Sequence, residues 1–227
     1  WRNQITDTSY NYGGMMARKG QMEQLLSELG VIPSDTLILY DAKANVDAAR
    51  LWWILKFYGH KHVRLLNGGL KNWQATGGDL DTVKMEYYDA KYKFEDEVNS
   101  EIQASIQKVK SAIERGRGIL VDTRSREEFS GELQKKGAAR AGAIPSSVNL
   151  DWSASVNYEG NHRFRSVREL EKIYGDIGIN ESTEVIAYCH SGVRSAHTLF
   201  VLKELLGYGK VQNYDGSWTE WSHIAYE

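Results

Sequence analysis

The only cysteine of the chain, Cys189, stands in the stretch Tyr188-Cys189-His190-Ser191-Gly192-Val193-Arg194-Ser195. A short apolar run, Val185-Ile186-Ala187-Tyr188, stops just before it, and an apolar helical pattern from Ala196 to Leu206 begins just after. A strand that feeds a tight loop and then a helix aims several backbone N–H groups at one point, where the helix dipole adds partial positive charge. A thiol at that point is held as thiolate, its nucleophilic form. The N–H groups of residues 190–195, Val193 included, would stabilise a negative sulfur. Arg194 is the fixed cation of the loop, able to lower the Cys189 pKa or steer an anion. His190 adds a charge or a hydrogen bond, and Ser191 and Ser195 offer hydroxyl donors. Ser195 also suits the N-cap of the following helix, the role expected for it. Gly192 permits a backbone angle that turns N–H groups inward.

Loop length discriminates between chemistries. Cysteine phosphatases and arsenate reductases separate cysteine and arginine by five residues, which leaves room for a tetrahedral oxyanion. Here Arg194 follows Cys189 after four residues, and the shorter loop favours a sulfur atom.

The elements that position this loop occur twice. At an offset of 148 residues Asp41 falls on Cys189, and residues 18–73 run against 166–221 without a gap, with eleven of 56 pairs identical. That identity is low, but glycine punctuation and apolar period agree with it, so the chain reads as two copies of one α/β unit. Each copy holds a helix ending at Gly30 or Gly178 and a buried strand, Leu37–Tyr40 or Val185–Tyr188. A second helix follows, Asp47–Tyr58 or Ser195–Leu206, and then a short strand entering a glycine turn near Gly68 or Gly216. Strand–helix–strand units with apolar strands imply parallel sheets covered on both faces, with ligands at the strands' carboxyl ends. Upstream of the second copy, Asn99–Arg115 reads as a helix, and Gly118–Asp122 and Ser147–Leu150 read as strands. The first copy has no counterparts of these, so it is expected to be incomplete at its amino end, with further residues preceding Trp1. The polar stretch Gly77–Asn99 reads as linker, giving residues 1–80, 81–98 and 99–227 as partial first domain, linker and second domain.

Bulk composition narrows the classes. Within 227 residues, 28 basic and 30 acidic side chains leave a formal charge of −2, so no global field points to nucleic acid or to an anionic membrane. No apolar run approaches the roughly 20 residues that span a bilayer. One cysteine excludes an internal disulfide framework and any cysteine-based metal cluster. His60 and His62 lack further ligands nearby and read as a surface turn; Trp52, Trp53 and Phe57 read as helix core. No phosphate-binding glycine loop or cofactor fingerprint is present, so neither metal nor cofactor is expected. The compartment stays open: a soluble protein of cytoplasm or periplasm.

Four stretches carry a resemblance: Val121-Asp122-Thr123-Arg124 with Glu128-Phe129; Gly142-Ala143-Ile144-Pro145; the Cys189–Ser195 loop; and Tyr214-Asp215-Gly216-Ser217-Trp218-Thr219-Glu220-Trp221. Together with Leu66-Asn67-Gly68-Gly69-Leu70 and Trp73 they resemble the tandem-domain rhodanese sulfurtransferases over nearly the whole chain. The resemblance implies an α/β fold of two rhodanese-like domains, each a parallel sheet sandwiched by helices. It also implies a catalytic second domain and a first domain that has lost its cysteine, in keeping with Asp41. Cys189 is then the persulfide carrier, taking sulfur from a small anionic donor and giving it to a thiol or cyanide. Two departures stand out. The family's Gly-His-Ile-Pro-Gly is here Gly142-Ala143-Ile144-Pro145-Ser146, and the loop matches neither the usual thiosulfate form nor the usual mercaptopyruvate form. Thiosulfate is the preferred donor, 3-mercaptopyruvate or a non-enzymatic persulfide carrier and redox sensor the alternatives. Asp122 is expected to hold the cysteine loop by hydrogen bonds, Arg124 to pair with a carboxylate, and Arg140 to meet a donor's anionic group or to stand as a solvated loop charge. The turn at Asp215–Trp218 reads as a packed indole bordering the site.

Overall fold

The computed structural model describes residues 2–224 apart from 84, 85, 87, 89 and 96. In chain order the first half holds α1 (Lys19–Glu28), β1 (Leu37–Leu39), α2 (Val46–Phe57), β2 (Val63–Leu65) and α3 (Gly69–Ala75). The second half holds β3 (Gln103–Ala104), α4 (Ile106–Arg115), β4 (Ile119–Asp122), α5 (Arg126–Ser130) and β5 (Ser147–Asn149). It continues with α6 (Val167–Gly175), β6 (Val185–Tyr188), α7 (Val193–Phe200), β7 (Val211–Tyr214) and α8 (Ser217–Ile224).

Both sheets are parallel, the first of two strands in the order β1-β2, the second of five in the order β3-β7-β6-β4-β5. The internal repeat is visible in the register. Leu37 lies opposite Val63, and Val185 opposite Val211, each pair displaced by the same 148 residues. The two-stranded sheet leaves Ile38 61% exposed, and Tyr40 just beyond β1 is 58% exposed, whereas all four residues of β6 are buried. Among the described residues, no helix is long and apolar enough to cross a membrane.

One apolar core runs through both halves. It joins Met22, Leu26, Trp52 and Trp53 to Leu170, Leu199, Val201 and Leu202, so α2 and α7 pack on each other across the repeat. Trp52 meets Phe200 edge-on at 5.1 Å. A second core on the other face of the five-stranded sheet gathers Val109, Leu120, Ile186, Tyr188, Trp218 and Trp221.

Two expectations need correction, the helix start before residue 106 and the place of His60, and the linker adds packing that its composition did not suggest. The helix expected over Asn99–Arg115 begins only at Ile106, because Ser105 caps it by accepting the Lys108 amide at 3.2 Å. Residues 103 and 104 instead pair with β7. The expected linker carries no helix or strand among its described residues, yet it packs: Tyr92 and Phe94 are buried, with the Tyr58 and Phe94 rings 5.2 Å apart. His60 is no surface residue either. It is buried, with Nδ1 2.6 Å from the Tyr92 hydroxyl and Nε2 3.1 Å from the Asp35 carbonyl.

Candidate active site

Cys189 sits at the carboxyl end of β6, 1% exposed. The loop turns into α7 at Gly192, which caps the helix with a φ of +74°, a left-handed conformation that a side chain disfavours. The helix therefore starts at Val193, two residues earlier than the expected Ser195–Leu206. Ser195 is consequently not the N-cap. It lies inside the first turn, fully buried, with Oγ 3.6 Å from the Cys189 Sγ, to which it donates.

The first repeat shows what such a loop does. The Asp41 carboxylate accepts the backbone amides of Lys43, Asn45, Asp47 and Ala48 at 2.7 to 2.9 Å. At the repeat offset these correspond to Ser191, Val193, Ser195 and Ala196. In the first copy the loop is an anion cradle filled by the protein's own carboxylate, and in the second Cys189 stands at the matching position. Backbone hydrogen bonds from Ser195 and Ser191 do act on Cys189. Burial alone would push the thiol pKa up. The Arg194 charge and the Ser195 and Ser191 bonds outweigh it and bring the pKa below the ordinary thiol value.

Arg194 does not stand free. Its guanidinium grips Glu128 by two bonds, at 2.6 and 2.9 Å, fixing the cation beside the sulfur. Burial works against the ionised Glu128, but the Arg194 bond and charge prevail and hold the carboxyl down at about 2. His190 places Nε2 3.1 Å from the Lys136 carbonyl. Burial and the Lys135 charge lower its pKa and so favour the neutral ring.

Arg124 pairs with a carboxylate as expected, whereas Asp122 departs from the role expected for it. Asp122 bonds not the cysteine loop but Arg124, accepting from its Nε and Nη2 at 2.6 to 3.0 Å and from its amide. Arg124 in turn donates to the Gly142 carbonyl at 2.8 Å and lies over the Trp218 ring at 4.9 Å. Arg140 sends Nε to the Ser222 carbonyl at 3.2 Å, while its own carbonyl accepts the Trp218 indole.

Two features escaped the sequence reading. Ser217 is buried with a φ of +51°, a left-handed conformation that Gly69 adopts in the first copy. Its Oγ accepts the amides of Cys189 and Gly192 at 3.1 and 3.0 Å and donates to the Tyr214 carbonyl at 2.7 Å. The amides of Trp218 and Thr219, at the start of α8, take the Cys189 and His190 carbonyls at 3.0 Å each. The Ser217-Trp218-Thr219 stretch of the carboxy-terminal signature therefore clamps the cysteine loop. The other feature is the segment 12–16. Thr219 Oγ1 donates to the Gly13 carbonyl at 2.9 Å, and a Cβ on Gly14 would collide with Ser191 Cβ. Only glycine lets this segment lie against the loop.

A cleft of about 610 Å³ opens at the other end of the five-stranded sheet, between α4 and the amino ends of β4, β6 and β7, and does not reach Cys189. Among the described residues, no three His, Cys, Asp or Glu side chains gather to hold a metal ion.

Comparison with known proteins agrees with this architecture. The rhodanese-like domain model matches residues 7–76 and 105–224. A thiosulfate sulfurtransferase of Corynebacterium glutamicum is 40% identical over 209 residues, 89% of this chain and 68% of that protein. The sulfur carrier protein TtuD of Thermus thermophilus is 39% identical over 213 residues, 90% of this chain and 74% of that protein. The crystal structure of Tum1 from Saccharomyces cerevisiae superposes with a TM-score of 0.87 at 25% identity, covering 97% of this chain and 77% of that one. The chain belongs to the rhodanese-like domain family and is a sulfurtransferase.

Proposed function

We propose that the enzyme carries sulfane sulfur from thiosulfate to a thiol or cyanide through a persulfide on Cys189. The observation that carries this reading is the cradle: the loop that seats the Asp41 carboxylate in the first copy surrounds the Cys189 sulfur in the second. In the first half-reaction the Cys189 thiolate attacks the outer sulfur of thiosulfate. The sulfur–sulfur bond breaks, sulfite leaves with the electron pair, and an anionic persulfide remains in the cradle. In the second, the acceptor attacks the terminal sulfur and the Cys189 thiolate departs. No external oxidant or reductant is consumed. Residues 99–227 act as the catalytic unit, and residues 1–80 as its cysteine-free partner.

A second reading rests on the 39% identity to a sulfur carrier protein: the acceptor is a thiol of another protein rather than a small molecule. Mass spectrometry tests both. After thiosulfate treatment Cys189 gains one sulfur atom, cyanide removes it, and Cys189→Ser never acquires it. Transfer of the loaded sulfur to a low-molecular-weight thiol supports the small-molecule acceptor; a persulfide that passes to a protein thiol and not to a small one supports the carrier. No adduct from thiosulfate rejects the donor.

A further inference from the structure

We propose that Arg50, a residue of the copy without a cysteine, is a positioning residue for the cysteine loop: it holds the Gly192 carbonyl away from the sulfur and so turns the Val193 amide toward it. This rests on Cys189 being the reactive group.

Arg50 lies on α2, is 2% exposed, and reaches across the repeat interface. Its Nη1 is 3.2 Å from the Gly192 carbonyl and 2.6 Å from the Asp215 carboxylate, and its Nη2 donates to the Gly14 carbonyl at 2.7 Å. The guanidinium also lies over the Trp53 ring at 4.9 Å, which fixes its plane. One side chain thus ties three segments that meet at the cysteine: α2, the segment at Gly14 and the loop itself. Asp215 completes the tie by accepting the Met16 amide at 2.9 Å.

The effect on the cradle follows from peptide geometry. No peptide bond in the described chain is cis, and a planar trans peptide points its C=O and N–H in opposite directions. Arg50 and the Asn213 side-chain amide both bind the Gly192 carbonyl, each at 3.2 Å. The N–H of that same peptide belongs to Val193. In the first copy the matching amide, Asn45, donates to Asp41 at 2.8 Å. Ser217 fixes the preceding peptide through the Gly192 amide, so the peptides on either side of Gly192 are pinned. Because Asp215 pairs with the Arg50 charge, Arg50 acts chiefly by orienting and polarising this peptide rather than by its own long-range field.

The test reads thiolate formation directly. In Arg50→Met/Asp215→Asn both buried charges are removed together, which avoids stranding either one. The pH midpoint of Cys189 alkylation by iodoacetamide should rise by about one unit relative to wild type, while thermal unfolding stays cooperative. A folded double variant with the wild-type midpoint overturns the proposal. A second measurement needs no variant. In the wild-type protein the Val193 amide proton resonance should follow Cys189 ionisation as strongly as the Ser195 amide does; a Val193 resonance indifferent to that ionisation also overturns it. Neither readout uses a sulfur donor, so failure to load sulfur from thiosulfate would count against the proposed reaction and leave this inference standing.

Discussion

Arg194 and Glu128 set the charge that Cys189 feels, and their separate removal should move it in opposite directions. Arg194→Gln takes away the cation that favours the thiolate, so the alkylation midpoint of Cys189 should rise by about one to two units. Glu128→Gln leaves the cation without its counter-charge, so the midpoint should fall. A shift of the same sign in both would show that the pair acts only as a structural clasp. The pair also predicts an acid limb of stability. Glu128 titrates lower in the folded chain, about 2 against 4.5, so its contribution is complete above pH 4.5 and is lost as pH falls toward 2. That contribution is on the order of 3 kcal/mol, and urea unfolding of Glu128→Gln should lack this limb. At this scale Cys189, the proposed nucleophile, stood out in the sequence because one cysteine stood at a strand-to-helix junction. The partners were less so. Ser195 reads as a cap from its type and place. Only the left-handed turn at Gly192, which starts the helix early, sends its hydroxyl to the sulfur. Ser217 stayed hidden for a related reason: its hydroxyl bonds amides 25 and 28 residues away.

The helices α2 and α7 are the elements on which the site depends, since each follows a cradle loop and they pack together. Trp52 and Phe200 meet at the centre of that contact, both buried. Trp52→Ala should cost about 3 to 5 kcal/mol. A double-mutant cycle with Phe200→Ala should return a coupling of roughly 0.5 to 1.5 kcal/mol for the edge-on pair. Urea denaturation measures both, and additive losses would mean the rings pack independently. Strand positions were readable because runs such as Val185–Tyr188 are apolar throughout, as a strand buried on both faces must be. Helix starts were not. Ile102 and Ile106 have helical spacing, but Ser105 between them caps the helix and the backbone before it is drawn into pairing with β7. The helix from Val193 also changes pitch, its last turn at Val201–Leu205 widening to a π-helix, which apolar period alone does not distinguish.

The two copies of the unit share one strand register and one kind of loop, so the molecule is a pseudo-symmetric pair in which one cradle is filled by its own side chain. The repeat was legible because an offset aligns each copy with the other. How the copies dock was not, since an alignment of like with like says nothing about which faces meet. Arg50 and the segment at Gly14 therefore entered the site only with the structure. The symmetry makes a prediction for the filled cradle. In an Asp41→Cys/Cys189→Ser variant the single thiol would face the amides of Lys43, Asn45, Asp47 and Ala48. If the loop backbone is what favours the thiolate, this cysteine should alkylate with a midpoint at least about one unit below the ordinary thiol value near 8.5. A midpoint at the ordinary value would place the activation of Cys189 in its side-chain neighbours instead. Sulfur loading should nevertheless be slower, by roughly tenfold or more, because Val46 stands where the second copy has Arg194, whose charge would draw in an anionic donor. Comparing the two thiols by alkylation and by mass gain from thiosulfate thus separates what the cradle supplies, an ionised sulfur, from what Arg194 supplies, an approach path for its substrate.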